Sequence, residues 1–152
     1  MRMSQTAEYA LRAMAQLAIL PKGKSARAGD ISKAASIPPH YLSKIMRRLV
    51  ARGLLTSEKG HGGGFRLAAS RKEIRFKDIL EAVDEAPQKN HCAFGYDRCD
   101  ARNPCVLHPL FSKFNHQLNT WAMGCSLDDL GPPPRPNSRK RAQISRVRRG
   151  RK

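Results

Sequence analysis

The stretch PHYLSKIMRRLVARGLLTSEKGHGGGFRLA, residues 39–68, decides the fold of this chain. In its first half, apolar residues recur every three or four positions between polar and basic ones, which predicts an amphipathic helix over about 39–52. Gly53 is placed to end that helix in a left-handed conformation. The apolar stripe of the helix consists of Leu42, Ile45, Met46 and Leu49.

The second half of the stretch predicts a β-hairpin, with short strands at 54–58 and 65–68 on either side of a glycine-rich tip. Helical periodicity predicts further helices over about 4–20, 28–35 and 76–83. Helices followed by a hairpin in this order are typical of a winged helix-turn-helix. The predicted fold class is therefore mainly α, with a small two-stranded antiparallel wing.

A long C-terminal helix completes the predicted architecture. Its apolar stripe continues past a complete small domain, which favours half of a homodimer interface over packing within one chain. We expect a winged helix-turn-helix domain at 1–85, a cysteine loop at 86–106, a dimerisation helix at 107–130 and a disordered basic tail at 131–152. The stripe consists of Leu107, Leu110, Phe111, Phe114, Leu118 and Trp121.

The charge of the chain is unevenly distributed. The 152 residues carry a formal net charge of +17, divided as +11 in residues 1–75, −3 in 76–131 and +9 in 132–152. A basic field of this size indicates a polyanionic partner, and double-stranded DNA is the leading one. The segment with most of the cysteines lies outside the basic regions, so a separate function is expected of it.

The sequence also bears on the compartment of the protein. No apolar run approaches the roughly 20 residues of a membrane span, and charged residues interrupt the apolar N-terminal segment, so neither membrane binding nor a signal peptide is predicted. We therefore expect a cytoplasmic protein, in which thiols stay reduced. Reduced thiols make metal binding or redox sensing a better explanation of clustered cysteines than disulfides.

Two sets of side chains are candidates for DNA contact. The N-terminal residues of a helix in the major groove meet base edges, and a glycine-rich wing tip approaches the sugar–phosphate backbone closely because no Cβ intervenes. A solvated basic face is the alternative for the helix alone, but the wing beside it favours DNA binding. The candidates are His40, Tyr41, Ser43, Lys44, Arg47 and Arg48 on the helix, and Lys59, His61 and Arg66 in the wing.

Three of the four cysteines lie close together in the stretch HCAFGYDRCDARNPC, residues 91–105. Cys92, Cys99 and Cys105 are separated by six and five residues, which is wider than the tight knuckles of structural zinc and suits an iron–sulfur cluster. Zinc is the alternative metal. Cys125 lies apart and is predicted to be a buried or incidental thiol.

A fourth ligand has two candidates. His108 follows Cys105 at the C-x-x-H spacing, and Glu8 lies off the apolar stripe of the first helix, where it would face a dimer partner. An i, i+4 ion pair with Arg12 is the simpler explanation of Glu8, and from the residues alone it is preferred.

The sequence resembles the IscR/NsrR group of the Rrf2 family, the bacterial winged-helix regulators that respond to iron–sulfur status or nitric oxide. The resemblance covers about residues 1–130. It rests on EYALRAM (8–14), YLSKIMRRL (41–49), GLLTSEKGHGGGFRLA (53–68), KDILEAVDE (77–85), the three-cysteine loop and SLDDL (126–130).

The resemblance implies a homodimer that binds promoter DNA through the helix at 39–52 and the wing at 59–66. It also implies a [2Fe–2S] or [4Fe–4S] cluster held by Cys92, Cys99 and Cys105. In the IscR-like branch the fourth ligand would be His108. In the NsrR-like branch it would be an acidic residue on the first helix of the other protomer, which matches Glu8. The hypothesis is a transcriptional regulator, favoured as a repressor, in which changes at the cluster alter the spacing of two recognition helices.

Two other functions remain open from the residues. A zinc-stapled or cluster-free winged-helix protein would bind DNA without sensing, and a basic RNA-associated protein would bind mainly through its tail. No arrangement of nucleophile, base and acid is evident, so an enzyme is not predicted.

Overall fold

The computed structural model describes residues 3–84, 92, 94 and 102–130. These residues form five helices and two strands, so the predicted fold class, a winged helix-turn-helix followed by a long helix, is confirmed. No helix among them is long and apolar enough to cross a membrane. In chain order the elements are α1 (Gln5–Ala18), α2 (Ala28–Ala35), α3 (Pro39–Ala51), β1 (Leu55–Glu58), β2 (Gly64–Leu67), α4 (Phe76–Ala82) and α5 (His108–Gly124).

Helix α1 is the centre of the core and packs against α2, α3, α4 and β2. Its buried face is rich in alanine, including Ala10 and Ala13, which are fully buried and let neighbouring helices approach closely. The α1 helix begins at a Ser4 cap, whose hydroxyl oxygen accepts a hydrogen bond from the Ala7 N–H at 3.1 Å. Its apolar face meets the predicted stripe of α3, all of which is buried.

The turn between α2 and α3 orients the third helix. Ser36 adopts a left-handed conformation at the end of α2, and the buried Ser32 hydroxyl donates a hydrogen bond to the Ile37 carbonyl at 2.6 Å. Pro39 then opens α3, where a missing N–H is harmless. At the other end Gly53 has φ +72°, which confirms the predicted left-handed ending of the helix.

The wing is a two-stranded antiparallel sheet in which Leu55 pairs with Leu67 and Glu58 with Gly64. The connection between α1 and α2 joins this sheet, because Ala26 exchanges two backbone hydrogen bonds with Phe65, at 3.0 and 2.8 Å. A Cβ on Gly64 would lie 2.5 Å from the Ala26 carbonyl oxygen, so only glycine allows this approach.

Helix α5 has an unusual distribution of residues. The side facing its own chain buries Asn115, Asn119 and Ala122, whereas the predicted apolar stripe is exposed or only half-buried. Trp121 makes an edge-to-face contact with Phe76 of α4, with 5.1 Å between ring centroids. After α5 the chain returns to the core, where Leu127 is buried.

Several predicted regions lie wholly or partly outside the described residues. The basic tail at 131–152 lies outside, and so does most of the cysteine loop at 86–106. Of that loop, only residues 92, 94 and 102–106 are described.

Gly64→Ala should lower the free energy of unfolding by about 1–3 kcal/mol, the usual penalty for forcing extra atoms into a packed site. Gly29→Ala is the matched control, since it lies in α2 and nothing stands within 4 Å of the added Cβ. That control should be neutral or stabilising by up to about 1 kcal/mol. Urea unfolding at one protein concentration measures both, and equal midpoints would contradict the close approach.

Candidate nucleic-acid interface and metal centre

The six polar residues predicted on α3 share one exposed face, opposite the buried stripe. This arrangement follows from the 3.6-residue period of the helix, because the apolar residues take the side that meets α1. This exposed face holds all the residues of α3 that the sequence predicts to contact DNA. It carries His40, Tyr41, Ser43, Lys44, Arg47 and Arg48.

Aromatic rings connect the start of α3 to α1. His40 and Tyr41 lie with their ring centroids 4.3 Å apart, and Tyr41 makes an edge contact with Tyr9 at 5.9 Å. The Arg12 guanidinium lies 5.0 Å from the centre of the Tyr9 ring, in a cation–π contact. The N-terminal part of the recognition helix is therefore held by α1 as well as by its own backbone.

Arg47 and Arg48 differ in their partners, although they are neighbours in the sequence. Arg48 donates a hydrogen bond to the Val83 carbonyl at 3.2 Å and forms an ion pair with Asp84 at 3.5 Å, both at the end of α4. Arg47 has no ion pair with the described residues. Arg47 is thus available to an external phosphate, whereas Arg48 first has to leave an internal partner. Sequence reasoning missed this contact because it joins residues 35 positions apart.

The wing tip presents Lys59 and His61 to solvent. Arg66, the third predicted wing residue, is bound on the sheet surface: its guanidinium forms an ion pair with Glu58 at 2.6 Å and donates to the Thr56 hydroxyl at 3.2 Å. A Cβ on Gly63 would clash with the Glu58 carbonyl, so the tight tip depends on that glycine.

Two of the predicted thiol ligands are described. Cys92 is buried, Cys105 is exposed, and Cys99 lies outside the described residues. The Cys105 carbonyl accepts a hydrogen bond from the His108 N–H at 3.0 Å, so the C-x-x-H segment forms the turn that begins α5. The partly buried His108 and the exposed thiol of Cys105 therefore lie at the same helix end.

Glu8 and Cys125 lie elsewhere. Glu8 is exposed on α1 and forms the ion pair with Arg12 that the sequence predicts, at 3.4 Å. Cys125 is half-buried just after α5, about 25 Å along the helix from its start, and its carbonyl accepts a hydrogen bond from the Phe76 N–H. Among the described residues no three His, Cys, Asp or Glu side chains form a group suited to a metal ion.

A three-helix core, a recognition helix with a basic face and a glycine-tipped wing define a winged helix-turn-helix protein of the DNA-binding class. Comparison with known proteins places it more closely. Residues 3–132 match the family model Rrf2, described as an iron-dependent transcriptional regulator. The chain therefore belongs to the Rrf2 family of transcriptional regulators, and it is not an enzyme.

Relatives agree with this assignment, and a solved structure agrees with the fold. The chain is 34% identical over 129 residues to a protein of Aquifex aeolicus named as an HTH-type transcriptional regulator, covering 84% of this chain and 89% of that protein. It is 30% identical over 130 residues to the transcriptional regulator IscR of Pectobacterium carotovorum, covering 86% of this chain and 79% of that protein. The structure of CymR, the global cysteine regulator of B. subtilis, superposes with a TM-score of 0.71 at 19% identity, covering 85% and 95%.

Glu8→Gln should lower the free energy of unfolding of the metal-free protein by less than about 1 kcal/mol. An exposed ion pair and a negative charge near the N-terminal end of a helix each stabilise a protein by only a few tenths of a kcal/mol. The matched control is Glu81→Gln, which removes the i, i+4 pair with Lys77 at 3.3 Å on α4. Urea unfolding in the presence of a chelator measures both variants. A loss of several kcal/mol for Glu8→Gln would contradict a purely exposed pair.

Proposed function

We propose that this regulator is a homodimer that binds promoter DNA and senses iron–sulfur status, nitric oxide or redox state through an iron–sulfur cluster. The observation that carries the proposal is the position of Cys105 and His108. Both lie at the start of α5, with the Cys105 thiol exposed to an incoming metal, and α5 is the helix whose outer face is left for a partner.

The donor set fits such a cluster in its chemistry. Thiolates are the ligands that iron–sulfur clusters prefer, and an anionic cluster beside Cys105 would lie at the positive N-terminal end of α5. Cys92, Cys99 and Cys105 would hold the cluster, and either His108 or Glu8 would complete it. The cluster, when bound, would supply a centre sensitive to oxidation, nitrosylation and iron loss. The iron-dependent description of the family and the IscR relative support this proposal.

The two candidate fourth ligands make different demands on the chain. His108 follows Cys105 in the turn that leads into α5, so both would come from one short segment of the chain. Glu8 is bound to Arg12, and Arg12 also donates to the Ala35 carbonyl at 3.4 Å. If Glu8 became a ligand, Arg12 would be left without its carboxylate beside Tyr9, whose ring contacts reach Tyr41 at the start of α3.

In the proposed DNA complex, α3 lies in the major groove and the wing follows the backbone. His40, Tyr41, Ser43 and Lys44 would face base edges at the N-terminal part of α3. Ser43 donates its hydroxyl hydrogen to the Pro39 carbonyl at 3.0 Å, so its oxygen is left as an acceptor. Phosphate contacts are assigned to Arg47, Arg48, Lys59, His61 and Arg66.

The experiment that tests the proposal has two parts. Iron, zinc and acid-labile sulfide are measured on anaerobically purified protein together with the visible absorption spectrum. An operator is then selected from random duplexes, and its affinity is measured for Cys92→Ala, Cys99→Ala and Cys105→Ala. Cys125→Ala is the matched control, because that thiol lies at the other end of α5 and outside the proposed ligand set.

We expect iron with matching sulfide, and a change of at least tenfold in operator affinity for each of the three loop variants but not for Cys125→Ala. Zinc without sulfide would make the protein a zinc-stapled DNA-binding regulator. Unchanged affinity in all three loop variants would exclude the sensor. Preference for RNA that disappears on deletion of 132–152 would favour the RNA-associated function instead.

The dimer is proposed from the exposed stripe of α5. Leu110 is 75% exposed, and with Phe114 and Trp121 it lies on one side of the helix, an apolar surface that a monomer would leave in water. A second copy of α5, carrying the same stripe, would cover it in a two-fold arrangement. Val106 and Leu107, which precede the helix or cap it, are exposed as well.

Leu110→Asp should convert the dimer to a monomer without unfolding it, since a charge in an apolar interface is disfavoured whereas an exposed position tolerates it. Met123→Asp is the matched control, because Met123 is 51% exposed but lies on another side of the helix. Analytical ultracentrifugation gives the mass of each variant. A Leu110→Asp protein that stays as dimeric as Met123→Asp would contradict the proposed interface.

A further inference from the structure

The connection between α1 and α2, residues 19–27, is built into the wing. Besides the paired backbone hydrogen bonds of Ala26 and Phe65, the Ser25 hydroxyl donates to the Gly62 carbonyl at the wing tip, at 2.9 Å. These hydrogen bonds attach the connection both to the strand and to the tip. The connection and the wing therefore form one unit, and whatever positions the wing also positions the connection.

A basic groove lies between the connection and the wing. Its volume is about 870 Å³, and it is lined by the end of α1, by residues 20–24, by the outer surface of the wing and by residues 68–71. Every ionisable side chain that lines it is cationic, among the residues that the structure describes. These side chains are Lys22, Lys24, Arg66 and Arg71.

The four cations are not equivalent. Arg66 is paired with Glu58, and Arg71 with Asp128, while its guanidinium also donates to the Ala18 carbonyl. Lys22 and Lys24 are exposed and form no ion pair with the residues that the structure describes. The lysines thus carry the uncompensated charge of the groove, on flexible stems that can follow an external anion.

We infer that Lys22 and Lys24 bind phosphates of the DNA backbone beside the wing, as a third contact element in addition to α3 and the wing tip. This inference rests on the proposed DNA-binding surface, with which the groove shares Arg66. The partner is duplex DNA, because the charge lies in an open groove that continues the wing.

The structure favours a long polyanion over a small anionic effector. No buried side-chain nitrogen or oxygen in the described part of the chain lacks a hydrogen-bond partner, so no polar group is held inside the groove in readiness for a small ligand. Lysine ammonium groups are compact charges and, unlike the planar guanidinium group of arginine, impose no fixed pair of hydrogen-bond directions. They therefore suit backbone phosphates in DNA of any sequence. The expected contribution is therefore affinity without base preference.

The test measures operator affinity against salt concentration for wild type, Lys22→Gln, Lys24→Gln and the double variant. Removal of one lysine–phosphate interaction should reduce the slope of log affinity against log salt by about 0.9, hence by roughly two for each single variant in a dimer. Base preference, measured by selection from random duplexes, should stay unchanged. Lys77→Gln is the matched control, because Lys77 lies on α4, outside the groove and paired with Glu81.

The outcomes separate this inference from the proposed function. Wild-type protein that selects no duplex would overturn both. Specific binding by wild type, with salt slopes of the lysine variants equal to that of Lys77→Gln, would overturn the third contact element alone. Stabilisation of wild type by inorganic phosphate, abolished in the double variant while the DNA slopes stay unchanged, would assign the groove to a small anion instead.

Discussion

The packing of α1 against the rest of the domain is the constraint on which both the proposed DNA-binding surface and the proposed cluster site depend. Ala7, Ala10 and Ala13 are buried to 1% exposure or less, and such small side chains bring helices close without leaving voids. Ala7 packs with Leu80 of α4 and Ala122 of α5, so a larger residue there would push these helices away. The outer side of the same helix carries Glu8 and Arg12. Helix α1 therefore connects a candidate cluster ligand to the N-terminal end of α3.

Helix α5 shows the opposite arrangement, which leaves an apolar surface for the proposed dimer. Its inner side buries Asn119, whose side-chain amide donates to the Asn115 carbonyl at 3.0 Å and thereby satisfies its polarity within the helix. The large apolar residues Leu110, Phe114 and Trp121 lie on the outer side of the helix. Ala122 is fully buried against Ala7 of α1 and Leu80 of α4, so the inner side attaches α5 to the domain while its apolar stripe stays exposed or half-buried.

The features that follow from local pattern were predictable, and those that depend on distant pairs were not. Helix periodicity predicted the bounds of α3 within a residue, and Gly53 predicted how the helix ends. Both features depend only on residues that are neighbours in the sequence. The interactions of Arg48 with Asp84 and of Ser25 with Gly62 join residues 36 and 37 positions apart, and no periodicity marks them. The thiol cluster was predicted by spacing, but Cys99 lies outside the described residues, so the ligand set stays a prediction.

The basic side chains of the wing region and of α3 divide into two kinds with different physical roles. Arg48 is held by Asp84 and the Val83 carbonyl, and Arg66 by Glu58 and the Thr56 hydroxyl, so their charge is compensated within the chain until a phosphate replaces the internal partner. Lys22, Lys24, Lys44 and Arg47 form no ion pair with the described residues, and their charge attracts phosphates from a distance. Because Lys22, Lys24 and Arg47 would supply charge outside the proposed base contacts, salt-dependent affinity can be altered on this surface while sequence preference is kept.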